Sequence, residues 1–209
     1  MIGGGNDVGE ERVKVVIADD EPIIRINIGE ILAQNGFDVC ARVSNGYEAI
    51  KACQKFQPEV VLLDIKMPIC DGVSAAKSIY MAKTAETIIM ITAYSDIALV
   101  KKAVDAGIDG YLVKPIDGAT LLPGICVARA QSREMRRLRA DMEKARQDME
   151  ARKLLERAKG KLMETRHWSE ETAYQYIRSA SKEYHVSMKE IARMLLDQIE
   201  ITQNFRDKN

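Results

Sequence analysis

At 209 residues the chain is long enough for one large domain or two small ones, and 46% hydrophobic with 30% charged residues suits a globular protein with a sizeable core. That balance excludes a disordered, collagenous or low-complexity chain, and the longest apolar runs, such as residues 60–63 and 88–91, are far too short to span a bilayer. The zero net charge conceals an asymmetry: residues 1–125 hold 12 Lys and Arg against 17 Asp and Glu, and the remainder carries the compensating excess of base.

This acidic-then-basic split predicts two domains, the second either facing nucleic acid or simply presenting a solvated basic face. Residues 1–7 have neither a basic n-region nor an apolar h-region, and residue 2 is isoleucine rather than the glycine of a myristoylation signal. Cys40, Cys53, Cys70 and Cys126 form no Cys-x-x-Cys pair, so free thiols in a reducing cytoplasm are expected.

From residue 13 to about residue 130, short apolar runs at 13–18, 37–43, 60–63, 87–91 and 108–113 alternate with amphipathic stretches such as Ile23, Ile26, Ile31, Leu32 and Ala98, Val100, Ala103, Val104. Strands alternating with helices predict an α/β doubly wound parallel sheet of five strands and five helices. Gly36, Gly46, Gly72 and Gly107 fall at or near the junctions.

After Pro123 the strand signal disappears. Residues 125–157, rich in Arg, Glu, Ala and Met without Gly or Pro, predict one long helix. Met135, Leu138, Met142, Ala145 and Met149 repeat by threes and fours, the seam of a parallel coiled-coil dimer or of packing onto another helix of the same chain. Gly160 and residues 165–168 are expected to interrupt this helix. Ser169 opens the next, with Glu170 and Glu171 in its first turn and Ala173, Tyr176, Ile177, Ala180 and Tyr184 as its apolar face. Ser187-Met188-Lys189-Glu190 is a capping-box pattern before a last helix carrying Ile191, Leu195, Leu196 and Ile199. A small all-α three-helix domain is the expected ending.

The expected strands end in chemically coherent residues. Asp19 and Asp20 follow the first, Asp64 the third, Thr92 the fourth and Lys114 the fifth. Ligands of doubly wound sheets bind at the carboxyl ends of the strands, so these residues converge. Three carboxylates suit a hard cation such as Mg²⁺, and one of them can attack phosphorus to give an acyl phosphate. Thr92 can donate to a phosphoryl oxygen, Lys114 supplies a cation, and Lys114-Pro115 permits a cis peptide.

Residues 13–125 resemble a response-regulator receiver domain. The matching stretches are Val15-Val16-Ile17-Ala18-Asp19-Asp20-Glu21, Leu62-Leu63-Asp64-Ile65-Lys66-Met67-Pro68, Asp71-Gly72, Ile91-Thr92-Ala93 and Tyr111-Leu112-Val113-Lys114-Pro115. The resemblance implies that Asp64 is the phosphoacceptor and that Asp20, Asp64 and the Lys66 carbonyl bind Mg²⁺ directly, with Asp19 acting through a metal-bound water. It further implies that Thr92 and Tyr111 form a switch pair, the hydroxyl following the phosphoryl group and the ring turning inward, and that a sensor histidine kinase is the partner.

Residues 152–203 resemble the ANTAR domain, an RNA-binding antitermination module, with residues 126–151 as a coiled-coil linker. The resemblance rests on Leu154-Leu155-Glu156-Arg157-Ala158-Lys159-Gly160-Lys161-Leu162-Met163, Ser169-x-x-x-Ala173, Arg178-Ser179-Ala180-Ser181 and Ile191-Ala192. It implies RNA contacts by Ala158, Lys159, Gly160, Lys161, Tyr174, Arg178 and Ser181. Small Ala158 and Gly160 allow close backbone approach, Lys159, Lys161 and Arg178 can pair phosphates, and Tyr174 can stack on an unpaired base. Trp168 reads as a packing plug.

The function expected is a regulator, cytoplasmic and not an enzyme, that dimerises when phosphorylated and binds RNA hairpins in target transcripts. A DNA-binding transcription factor is the alternative, since a basic three-helix domain could form a helix-turn-helix. Against it, residues 183–187 lack the glycine common in that turn.

Overall fold

The protein is described by a computed structural model covering residues 12–93 and 107–206, with residues 200–206 given by backbone alone. The apolar runs form β1 (Lys14–Ala18), β2 (Asp38–Val43), β3 (Val60–Asp64), β4 (Thr87–Thr92) and β5 (Gly110–Val113). Between them lie α1 (Pro22–Gln34), α2 (Gly46–Phe56) and α3 (Gly72–Ala82). The helix expected around Ala98–Val104 falls outside the described residues. All strand pairs are parallel, in the order β2-β1-β3-β4-β5, so the chain reverses its winding direction at β1 and opens a crevice beyond the ends of β1 and β3.

The inner strands β1, β3 and β4 are mostly apolar because helices cover both faces of the sheet, whereas the edge strand β2 carries exposed Asp38 and Arg42. Val16, Ala18, Val61, Leu63, Ile88 and Met90 pack with Ala49, Cys53, Ala75, Ala76 and Ile79 of α2 and α3. Their neighbours Val15, Ile17, Val60, Leu62, Ile89 and Ile91 point the other way, onto Ile28 and Leu32 of α1 and onto Leu121, Ile125 and Ala128. Caps fix where the site-bearing loops end: Asn45 accepts from the Glu48 N–H at 2.9 Å and Asp71 from the Ser74 N–H at 2.7 Å. Gly107 holds the left-handed φ of +86° that precedes β5.

The remaining helices are α4 (Gly118–Arg166), α5 (Glu170–Glu183) and α6 (Met188–Arg206). None of the described helices is long and apolar enough to cross a membrane. α4 is longer than the expected 125–157 at both ends. It starts at Gly118, where Asp117 accepts from the Thr120 N–H at 2.8 Å, and it runs through Gly160 without a break. Glycine inside a helix costs about 1 kcal/mol relative to alanine, which the burial of flanking Ala158 and Leu162 offsets. The break comes at His167, with φ +56°.

The chain divides into two compact units between Arg136 and Arg137. In the first, α4 is pinned beneath the sheet: Arg129 pairs with Glu59, Ser132 Oγ donates to the Glu86 carbonyl at 2.8 Å, and Arg136 pairs with the Glu86 carboxylate at 3.0 Å. In the second, Ala158 and Leu162 of α4, Ala173 and Ile177 of α5, and Ile191, Ala192 and Leu196 of α6 form a separate core. Ser169 caps α5, accepting from the Thr172 N–H at 3.2 Å. The capping box is reciprocal, Glu190 N–H to Ser187 Oγ at 3.2 Å and Ser187 N–H to Glu190 Oε2 at 2.9 Å. The apolar face expected on α5 is narrower than the sequence suggests. Tyr184 is its C-cap and stands exposed, because α5 ends before a further turn could bring that ring onto the core.

Candidate functional site

β1 delivers Asp19 and Asp20 to the crevice, β3 ends on Asp64, and the β5–α4 loop brings Lys114, whose bond to Pro115 is cis. The Lys114 ammonium sits among three carboxylates: 2.9 Å from Asp64 Oδ1, 3.0 Å from Asp19 Oδ2 and 3.3 Å from Glu21 Oε1. Asp64 Oδ2 accepts the Lys66 N–H at 2.7 Å, and Asp19 Oδ1 accepts the Glu21 N–H at 2.9 Å. The carboxylates of Asp19, Asp20 and Glu21 lie within 4.8 Å of one another. Exposed Asp20 lines an open cavity of about 690 Å³ with Lys66, Met67, Asp71 and Ser74.

Three carboxylates thus surround one ammonium, and a fourth, Asp20, lies beside Asp19 and Glu21. Burial raises the pKa of Asp64 above the ordinary carboxylate value, and the Asp19 charge adds to this; Lys114 and the Lys66 N–H act in the opposite direction. For Lys114, burial disfavours the ammonium, but the adjoining Asp64 and Asp19 carboxylates outweigh it and raise its pKa. Asp19 Oδ2 is buried and, apart from its ion pair with Lys114, takes no hydrogen bond. An under-satisfied buried oxygen beside three further hard oxygen donors fits a small divalent cation.

Thr92 and Tyr111 do not join this cluster. Thr92 is buried and its hydroxyl donates to the Ala93 carbonyl at 3.0 Å, while Tyr111 is 57% exposed. Two contributions do not show in the sequence pattern. Glu21 reaches Lys114. Gly72 opens α3 against β3 so closely that a Cβ there would lie 2.0 Å from the Asp64 carbonyl oxygen.

In the second unit the expected nucleic-acid residues separate. Ala158 is a core residue, fully buried, so it offers no surface for backbone approach. Lys159 is also largely buried, its ammonium 2.8 Å from Glu156 and 2.7 Å from Glu170, which leaves no charge facing outward for a phosphate. The Ser181 hydroxyl donates to the Val186 carbonyl at 2.6 Å, closing the α5–α6 turn. Tyr174 is half-buried and Arg178 exposed on α5. Gly160 and Lys161 line a cavity of about 250 Å³, where Lys161 pairs with Glu164 at 2.9 Å. Trp168 packs against the core and meets Tyr176 edge-on at 5.2 Å. Along α4, Met135, Leu138, Met142, Ala145 and Met149 are all exposed.

Residues 15–125 match the response regulator receiver domain, and residues 143–196 match the ANTAR domain. Over 185 residues the chain is 36% identical to the transcriptional regulatory protein PdtaR of Mycobacterium tuberculosis, covering 88% of this chain and 89% of that one. The chain belongs to the ANTAR response regulators. The signal receiver domain of a modulated diguanylate cyclase from Desulfovibrio desulfuricans is 27% identical with a TM-score of 0.55, covering 60% of this chain and 99% of that one. CheY of Borrelia burgdorferi, solved with CheX, BeF₃ and Mg²⁺, is 29% identical with a TM-score of 0.51, covering 54% and 86%.

Proposed function

We propose that this response regulator accepts a phosphoryl group on Asp64, dimerises through α4 and binds RNA hairpins so as to prevent transcription termination. The observation that carries the reading is the strand-end cluster of Asp19, Asp64 and Lys114, joined in one chain to an ANTAR domain. A carboxylate oxygen of Asp64 forms a bond to phosphorus as the bond from phosphorus to the donor breaks, the donor being a sensor histidine kinase or a small phosphodonor. Lys114, already 2.9 Å from Asp64, holds the carboxylate in place and balances the charge that arrives. Asp20, Asp64 and the Lys66 carbonyl would hold Mg²⁺, with Asp19 acting through water. When bound, the ion neutralises the carboxylates and the incoming phosphoryl group.

Thr92 and Tyr111 are the switch pair in this reading. The Thr92 hydroxyl leaves the Ala93 carbonyl for a phosphoryl oxygen, and the exposed Tyr111 ring moves inward behind it. The exposed seam from Met135 to Met149 is then buried against a second copy; a few kcal/mol of differential stability suffices to make a minor dimer the major state. The output is binding in the cytoplasm rather than turnover. A dimer carries two RNA surfaces, so an RNA with two adjacent hairpins gains avidity. Sedimentation with and without a phosphodonor, followed by binding to two-hairpin RNA, one hairpin and duplex DNA, tests this. A phosphorylation-dependent dimer preferring two hairpins is expected. An unchanged monomer overturns the mechanism, and preference for DNA points instead to a DNA-binding regulator.

A further inference from the structure

We propose that the cavity between α4 and α6 is a socket for one unpaired base of an RNA loop, and that Gly160 is the residue that keeps it open; this rests on the RNA-binding reading above. The cavity, of about 250 Å³, is lined by Arg157, Gly160, Lys161 and Glu164 of α4 and by Leu196 and Ile199 of α6. Residues 157, 160, 161 and 164 share one face of the helix by their spacing.

Gly160 has no evident internal purpose. Glycine weakens a helix interior relative to alanine, so its presence there asks for a compensating reason. The backbone does not require it, because the described glycines at positive φ are Gly36 and Gly107. Packing does not require it either, since a Cβ at position 160 would meet nothing within 4 Å. By contrast, a Cβ at Gly46, Gly72 or Gly124 would run into a neighbour at 2.0–2.6 Å. What glycine preserves at position 160 is the open space itself, for any side chain there would stand in the cavity.

The lining describes the occupant. The cavity is smaller than the roughly 300–1,000 Å³ of ordinary small-molecule pockets, which suits a single flat ring system. Leu196, nearly buried, and Ile199 provide an apolar floor. Arg157 and Lys161 place two cations on the rim, where the phosphates on either side of a flipped-out base would lie. A purely apolar partner side chain would have no use for that charge. Lys161 now pairs with Glu164, and on binding it would turn to a phosphate and leave the carboxylate facing the base. A carboxylate only accepts hydrogen bonds, so a base edge bearing an amino donor is favoured over uracil, whose single N3–H donor is flanked by two carbonyl oxygens that a carboxylate repels.

The test uses the full chain treated with a small phosphodonor and Mg²⁺, and a hairpin library with a fixed stem and a randomised loop, against a blunt duplex of the same stem. Dissociation constants are measured for the wild type, Gly160→Ala and Gly160→Leu, with circular dichroism and sedimentation on each. Gly160→Leu should weaken loop binding about tenfold or more, the range of a lost base contact, and Gly160→Ala should weaken it less. Both variants should keep or gain helicity, since both residues are better helix formers than glycine. Loops recovered by the wild type should be depleted of uracil at one position. Unchanged binding by Gly160→Leu overturns the socket and leaves the RNA reading standing, whereas no preference for loops by the wild type overturns both. A changed sedimentation mass with unchanged RNA binding overturns the socket in favour of a second copy of the chain.

Discussion

Gly72→Ala tests how the fold positions Asp64. In the structure an added Cβ would lie 2.0 Å from the Asp64 carbonyl oxygen, 2.9 Å from its carbonyl carbon and 3.0 Å from the Met90 methyl. The methionine can swing aside, but the first two atoms are backbone at the end of β3. Normal contact at about 3.5 Å therefore requires a relative displacement of more than about 1 Å between α3 and β3. The Gly72 N–H also donates to the Ile65 carbonyl at 3.0 Å, so the two segments cannot part without losing that bond. Overpacking of this kind costs about 1–3 kcal/mol, and a misplacement of about 1 Å at a reacting group costs about 10²-fold in rate. Urea unfolding should accordingly show a lower midpoint, and phosphoryl incorporation from a small phosphodonor should slow by about two orders of magnitude. Gly118→Ala is the control, because its Cβ would meet only Ile31 Cγ2 at 3.6 Å, an ordinary contact. If Gly72→Ala is as stable and as rapidly labelled as Gly118→Ala, the close approach of α3 does not position Asp64 and the reasoning fails.

Leu162→Ala removes a side chain that is 1% exposed at the centre of the second core and should cost about 2–5 kcal/mol. Thermal unfolding should then lose the helical signal of residues 137–206 early while Asp64 remains labelled; loss of labelling in step with that signal would contradict two separate cores. Burial pushes the Cys53 thiol up to about 12 from 9.0, so the folded chain keeps it protonated where the unfolded chain would ionise. The stabilising effect of the buried thiol is fully present below pH 9 and is lost as pH rises toward 12, a decline that Cys53→Ala should lessen in alkaline denaturation. At mildly alkaline pH a thiol reagent should modify exposed Cys126 first and Cys53 only on unfolding; early modification of Cys53 would contradict its burial.

The receiver site could be read from the sequence because each of its residues follows an apolar run, and a parallel sheet must bring such strand ends together. Asp19, Asp64 and Lys114 meet for that reason alone. Glu21 could not be assigned in the same way, since its role depends on how far the Lys114 side chain reaches after its strand ends. Gly72 is a matter of clearance between α3 and the end of β3, which leaves no periodic trace. The second unit was less legible. Local propensity suggested a helix end at Gly160, yet the core contacts of Ala158 and Leu162 carry the helix past it. Lys159 stands in a basic stretch, but its partner Glu170 lies beyond the turn that begins α5, so its neutralisation is a tertiary event. Ser181, expected among the RNA contacts, instead donates its hydroxyl to the Val186 carbonyl in the following turn, a partner that the sequence pattern does not reveal. The seam from Met135 to Met149 stands out by its spacing, and its five side chains are exposed along α4.

The most direct measurement is intact-protein mass after incubation with a small phosphodonor, in Mg²⁺ and with the metal chelated, for the wild type, Asp64→Ala and Asp20→Asn. Incorporation at Asp64, Mg²⁺-dependent, weakened by Asp20→Asn and abolished by Asp64→Ala, is the predicted result. A stable phosphoryl group on the Asp64→Ala chain would contradict the account, because the account places the acceptor on the Asp64 carboxylate that Lys114 meets at 2.9 Å.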